Sequence, residues 1–65
     1  MPEYLTVKQL ATVLQIPVAT IYQWRHRGDG PRGMRVGRHV RFHRKDVLAW
    51  LSECRDPTTH AWMAS

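Results

Sequence analysis

Pro17 divides the first half of the chain into two short helical patterns, and this break restricts the possible folds more than any other feature. A proline disfavours helical backbone at the preceding residue, here Ile16, and suits the first position of a new helix. The sequence therefore predicts one helix over about residues 7–14 and a second over about residues 17–26. Two short helices joined so closely form either a helix-turn-helix or an ordinary αα-hairpin.

The first predicted helix carries a clear start signal. Thr6 is a favourable N-cap, and Gln9 follows three residues later, as in a capping box. Leu5 and Leu10 flank this pair at the spacing of a hydrophobic staple. Apolar residues then follow at helical spacing: Val7, Leu10, Ala11 and Leu14. We expect the helix to begin directly after Thr6.

The second predicted helix has one apolar side and one mixed side. Ile21 and Trp24 lie one turn apart and are expected to face the core together with Ile16. Gly28 is expected to end the helix. The opposite side presents Val18, Ala19, Tyr22, Gln23 and His26. This mixed side is the part of the helix that is free to meet a partner.

A period-two pattern, typical of β-strands, occupies residues 34–42. Four apolar residues alternate with basic ones: Met34, Val36, Val40 and Phe42. Gly37-Arg38 suits a two-residue turn of type II′, so we expect strands over about residues 34–36 and 40–42. Because a two-stranded ribbon is marginal alone, the four apolar side chains are expected to anchor it on the helices. The arginines are then expected on the free face.

A third helix is predicted over about residues 44–53, with Asp46 in its first turn complementing the helix dipole. Its apolar face is expected to comprise Val47, Leu48, Trp50 and Leu51. Trp50 is expected to cover the core beside Trp24. The order helix, helix, hairpin, helix predicts a mainly α fold with a small β-hairpin, a winged helix-turn-helix over residues 1–55. Residues 56–65 are expected to be a flexible tail or an interaction segment.

Positive charge is concentrated in one part of this 65-residue chain. The segment 25–45 contains one acid, Asp29, and eight basic residues: Arg25, Arg27, Arg32, Arg35, Arg38, Arg41, Arg44 and Lys45. A one-sided basic surface on a small domain indicates nucleic acid or another polyanion as partner. A basic membrane-surface helix fits less well, because glycines and Pro31 interrupt the segment.

Few features of the sequence support another class of protein. The single cysteine, Cys54, excludes an internal disulfide. A closed zinc site usually requires four cysteine or histidine ligands at fixed spacing, which this single cysteine argues against, so we expect neither a metal nor a cofactor. A nuclease using His39 or His43 would lack a carboxylate pair or orienting partner, so we expect no enzyme. Residues 1–6 lack signal-peptide features and no apolar run approaches the roughly 18 residues of a membrane span, so the expected location is the cytoplasm.

The second helix of a helix-turn-helix enters the major groove of DNA, and its outward residues reach base edges. Gln23 is the best candidate base reader, because its amide pairs with adenine. Thr20 and Tyr22 are expected to bind phosphates, and Arg38 to enter a minor groove, whose negative potential attracts arginine. The full set of expected DNA contacts is Ala19, Thr20, Tyr22, Gln23, Arg25, Arg27, Arg35, Arg38, His39 and Arg41.

Each of these contacts has a plain structural alternative. Tyr22 could pack against the domain, Gln23 could be ordinary solvated surface, and Thr20 could bond back to its own helix. The wing arginines could serve solubility, although solubility surfaces mix charges of both signs. RNA binding is a further alternative, but the exposed aromatics on a sheet that many RNA-binding modules use are missing from the sequence pattern.

Three segments together resemble the excisionase family, small winged helix-turn-helix proteins related to the MerR-type DNA-binding domain. They are YLTVKQLATVLQIP at 4–17, ATIYQW at 19–24, and RVGRHVRF with DVLAWL within 35–51. The resemblance covers residues 4–51. Many relatives have glycine and serine where this chain has Gln15 and Pro17, so the usual N-cap of the recognition helix is missing here.

The resemblance implies a non-catalytic protein that binds double-stranded DNA. Its second helix would read the major groove through Thr20, Tyr22 and Gln23, and Arg38 at the wing tip would reach the minor groove. Excisionases bind adjacent sites beside an attachment site, cooperate with neighbouring copies, bend the DNA and direct an integrase toward excision. A small transcriptional regulator of the same fold is the alternative, since one fold hosts several functions.

Overall fold

The computed structural model describes residues 1–55, which fold into three α-helices and a small antiparallel sheet. The elements in chain order are β1 (Tyr4–Leu5), α1 (Val7–Leu14), α2 (Val18–Arg27), β2 (Met34–Val36), β3 (His39–His43) and α3 (Arg44–Glu53). The predicted mainly α, winged helix-turn-helix fold is confirmed, and the predicted bounds of α1 and α3 agree with the structure. The tail predicted for residues 56–65 lies outside the described residues.

The wing, defined here as β2, β3 and the turn between them, is part of a three-stranded sheet rather than a separate ribbon. The strand order is β1-β3-β2, and both pairings are antiparallel. β1 places Leu5 opposite Phe42 and Tyr4 opposite His43. The sequence prediction missed β1 because two residues are too few to show a period-two pattern. β3 is therefore the central strand, paired along both of its sides.

The start of α1 has the predicted capping box. The Gln9 backbone N–H donates to Thr6 Oγ1 at 3.0 Å, and the Thr6 backbone N–H donates to Gln9 Oε1 at 2.9 Å. Leu5 and Leu10, the predicted staple pair, are both fully buried in the core. Local hydrogen bonds and core burial thus set the same starting point for the helix.

α1 ends in a Schellman motif that uses a residue other than glycine. Gln15 has left-handed backbone angles, φ 57 and ψ 45. Its N–H donates to the carbonyl of Thr12 at 3.2 Å, and the Ile16 N–H donates to the carbonyl of Ala11 at 3.0 Å. These two bonds satisfy carbonyls at the helix end and reverse the chain toward α2.

α2 begins at Val18, with Pro17 as its extended N-cap at φ −64 and ψ 145. The prediction that the helix includes Pro17 is wrong by one residue, because the extended ψ keeps the proline outside the first turn. Gly28 ends the helix as expected, at φ 83. A second Schellman bond, from the Asp29 N–H to the carbonyl of Trp24 at 2.7 Å, closes this end.

Replacing Gln15 with glycine is expected to stabilise the domain by about 0.5–1 kcal/mol. Glycine removes the steric cost of the left-handed conformation, and part of this gain is offset by the greater freedom of the unfolded chain. Gly28→Ala is the matched control, and it is expected to destabilise the domain. An added Cβ there meets nothing within 4 Å, so its effect reports only the cost of the left-handed backbone. Urea unfolding measures both, and a lower midpoint for Gln15→Gly would refute the strain argument.

The core lies between the helices and the inner face of the sheet. Its fully buried large side chains are Leu5, Leu10, Ile21, Phe42 and Val47. Trp24 packs at its edge, and the Trp50 ring lies beside it as predicted, with ring centroids 5.1 Å apart. Leu48 was predicted to join the apolar face of α3, but it is 54% exposed. One step beyond Val47 rotates it about 100° around the helix, away from the core.

The prediction that Met34 and Val36 anchor the wing is wrong. The two-residue turn pairs Val36 with His39 and Met34 with Arg41, and paired residues point to the same side of a sheet. Since Val40 and Phe42 face the core, Met34 and Val36 must lie on the outer face. Val36 is accordingly 57% exposed, whereas Phe42 is fully buried.

Two glycines before the wing allow close packing rather than forming a solvated linker. A Cβ on Gly30 would lie 2.9 Å from the Trp24 ring, and one on Gly33 would lie 2.9 Å from the Phe42 ring. Real Cβ atoms essentially never approach so closely, so the loop can lie on the core only because these side chains are absent. This packing fixes the position of β2.

Candidate DNA interface

The outward side of α2 is available to a partner over most of its length. Tyr22 is 54% exposed and Val18 is 38% exposed. Ala19, Gln23 and His26 are also exposed, as the sequence pattern predicts. Thr20 is half-buried at the edge of this surface, and its backbone N–H donates to the carbonyl of Pro17 at 3.1 Å.

The two arginines at the end of α2 occupy different surroundings. Arg25 is half-buried, with its guanidinium carbon 5.9 Å from the centroid of the Phe42 ring. This cation–π contact joins α2 to the sheet. Arg27 forms an exposed ion pair with Asp29, with 3.3 Å between Nε and Oδ2. Such exposed pairs are weak, so Arg27 remains able to exchange Asp29 for a phosphate.

Arg38 and His39 lie at the wing tip and are exposed, as predicted. Gly37 has φ 62, and Arg38 does not have a positive φ. This combination agrees with the predicted type II′ turn, which requires a positive φ only at its first central residue. The turn holds the arginine at the outermost point of the sheet.

The wing arginines do not all share one free face, contrary to the prediction. Arg35 is paired with Val40 and therefore lies on the side of the sheet that faces the helices. Arg41 is paired with Met34 on the outer face, and its Nη1 donates to the carbonyl of Val40 at 2.8 Å. The register set by the two-residue turn, which contradicts the predicted positions of Met34 and Val36, also places Arg35 and Arg41 on opposite faces of the sheet.

A groove between α1, α2 and the wing, here called the cationic groove, brings several predicted site residues together. It is lined by Thr6, Val7, Lys8, Tyr22, Arg35, Arg38, His39, Val40 and Arg41. Four of these side chains are cationic, and none is acidic. A second depression, on α2, is lined by Tyr22, Gln23, His26 and Arg27. Tyr22 belongs to both and thus connects the recognition helix to the wing.

The α1 residues of the cationic groove were not predicted as contacts. The structure places Lys8 of α1 in one groove with residues of the wing. The missed signal is the pairing of β1 with β3, which holds the start of α1 against the wing. Arg25, in contrast, was predicted as a contact but lines a separate depression with Asp29 and Gly30.

His43 connects three parts of the domain. Its Nδ1 accepts a hydrogen bond from the backbone N–H of Lys45 at 3.1 Å and thereby caps α3. Its Nε2 lies 3.6 Å from Glu3 Oε1, and its ring packs edge-on against Tyr4. The ring therefore joins the start of the chain, β3 and α3.

Residues 1–55 contain no cluster of three or more histidine, cysteine or acidic side chains arranged to hold a metal ion. Within the same range, the longest helices have ten residues, and none is long and apolar enough to cross a bilayer.

Two short helices joined by a tight turn, an exposed second helix and an adjoining basic wing define a winged helix-turn-helix, a class of DNA-binding domain. A family model described as a helix-turn-helix domain matches residues 4–55. The chain belongs to this helix-turn-helix domain family. The match extends from β1 past the end of α3, and so includes the wing as well as the two helices. No curated protein matches the chain.

Proposed function

We propose that this protein is an excisionase-type DNA binder, which binds and bends DNA beside an attachment site and directs an integrase toward excision. The observation that carries the DNA-binding part is the cationic groove, which joins the exposed side of α2 to the wing without an acidic residue. The excision part is supported by the resemblance of residues 4–51 to excisionases. In this proposal α2 occupies the major groove and Arg38 reaches the neighbouring minor groove.

The small size of the domain favours action by several copies. A single module buries roughly 600–1,000 Å² on DNA. Bending a site of 20–30 base pairs by 40–90° costs on the order of 1–6 kcal/mol. Neighbouring copies on adjacent sites would share this cost, so the proposal includes cooperative binding.

An excision assay with the matching integrase tests the role, and footprinting on the attachment-site DNA gives the number and spacing of bound copies. We expect excision to depend on this protein and the footprint to cover adjacent sites. Excision at the same rate without the protein would refute the excisionase role. A footprint confined to a promoter would favour the alternative, a small transcriptional regulator of the same fold.

The proposed function has no catalytic step. His39 is exposed at the wing tip in a groove without a carboxylate, and His43 uses Nδ1 to cap α3 while its Nε2 lies 3.6 Å from Glu3. Labelled DNA incubated with the protein and magnesium should remain intact. Cleavage that copurifies with the protein would establish a nuclease instead.

Gln23→Ala is expected to relax preference at one base pair, at a cost of roughly 1–3 kcal/mol on the cognate site. Gln23 is exposed on α2 beside Tyr22 and can reach a base edge in the major groove. Binding to a panel of single-base variants of the site measures the change. An equal loss of affinity on every sequence would assign Gln23 to backbone contact.

A further inference from the structure

The cationic groove includes a side chain outside both the recognition helix and the wing. Lys8 is the second residue of α1 and is exposed. The capping box at Thr6 and the pairing of Leu5 with Phe42 hold this turn of α1 beside the base of the wing. Its location is therefore set by the fold, although the side chain itself can move.

We infer that the cationic groove binds a single phosphate of the DNA backbone. Lys8, which belongs neither to α2 nor to the wing, contacts this phosphate, and the Tyr22 hydroxyl donates a hydrogen bond to it. The inference rests on the proposed DNA binding and specifies which part of the DNA this surface holds.

The shape of the double helix leads to this inference. Each sugar-phosphate strand separates a major groove from a minor groove. If α2 lies in one groove and the wing reaches the next, the strand between those grooves must cross the surface between α2 and the wing. That surface is the cationic groove, whose lining includes Tyr22 from α2 and Arg38 from the wing.

The side-chain chemistry agrees with a phosphate at this point. Lys8, Arg35 and Arg38 line the groove together with Arg41, which reaches it from the outer face of the sheet, and no carboxylate among the lining residues neutralises them. Arginine offers a planar fork of donors to phosphate oxygens, and lysine adds a mobile point charge. Phosphates carry no sequence information, so these contacts would fix the register of α2 on the duplex.

The chain provides its own control, because Lys8 and Lys45 are its only lysines. Each is exposed and is the second residue of its helix, α1 or α3. Lys45 is not part of the cationic groove. The two lysines thus differ mainly in whether they face the proposed phosphate.

Lysine acetylation read by mass spectrometry, with and without saturating duplex DNA, tests the inference on the intact chain. We expect DNA to slow acetylation of Lys8 several-fold and to leave Lys45 unchanged. In salt titrations, Lys8→Gln should reduce the slope of log K against log salt by at most about 0.9, the value for one phosphate, because the groove arginines still contact that phosphate. Lys45→Gln should leave that slope unchanged.

The outcomes separate this inference from the proposed function. Two results would overturn the phosphate inference and leave DNA binding intact. In one, the protein binds the duplex tightly but Lys8 is acetylated as fast as without DNA. In the other, Lys8→Gln and Lys45→Gln give the same salt slope. Equal protection of both lysines would also overturn it, since that indicates a diffuse charge effect. Failure to bind duplex DNA would overturn the proposed function together with this inference.

Discussion

Phe42→Ala is expected to leave the domain largely unfolded in water at 25 °C. Phe42 is fully buried on the central strand, beneath Arg25 and against the loop at Gly33. Truncating a buried phenylalanine costs about 3–5 kcal/mol, and a core in a domain of this size rarely supplies more than about 3–5 kcal/mol in total. Far-UV circular dichroism at 25 °C should show loss of most helical signal.

Two valines of the wing provide the control for this prediction. Val40→Ala removes a side chain packed on the core, whereas Val36→Ala removes one that is 57% exposed. Urea unfolding should show a clear loss of stability for Val40→Ala and a change within about 0.5 kcal/mol for Val36→Ala. Equal losses, or a folded Phe42→Ala, would show that the assignment of the two sheet faces is wrong.

The largest effect on DNA binding is expected when Arg35, Arg38 and Arg41 are replaced together by glutamine. Charge-assisted hydrogen bonds contribute about 1.5–3 kcal/mol each, so we expect at least about a hundredfold weaker binding in low salt. The slope of log K against log salt should fall by roughly one unit for each lost phosphate contact. Arg38→Ala alone should lower it by about one unit on every sequence tested.

The matched control removes three charges elsewhere, by replacing Arg44, Lys45 and Arg55 with glutamine. All three residues are exposed and lie outside the cationic groove. Both triple variants carry the same net charge, so a difference between them reports location rather than total charge. Fluorescence anisotropy on a labelled duplex, at several salt concentrations, measures both. Equal weakening would assign the wing arginines a general electrostatic role only.

Much of the fold could be predicted because its signals are local. Thr6 and Gln9 define the start of α1, and Gly28 defines the end of α2. β1 escaped prediction because its evidence is a pairing with β3, far along the chain. The left-handed conformation of Gln15 also escaped prediction. It depends on hydrogen bonds at the end of α1 and in the following turn, and not on the conformational preference of glutamine.

The candidate site was predicted in part. The exposed side of α2 and the wing tip follow from helical spacing and from the turn at Gly37, and both are as expected. The prediction of which wing residues face the core was wrong, although the two-residue turn fixes the strand register and hence the face of each residue. Lys8 could not be found from sequence alone, because its nearness to the wing depends on β1. That these residues contact DNA remains a prediction.

Among residues 1–55, the strand order leaves one side of β2 without a partner, and this open edge bears on aggregation. Exposed apolar edge strands template association between molecules, and proteins restrain this with short edges and charged residues. β2 has three residues, with Arg35 between the exposed Met34 and Val36. If the proposed DNA contact holds, Arg35 meets two demands, protection of this edge against association and contact with DNA, and substitutions there are constrained by both.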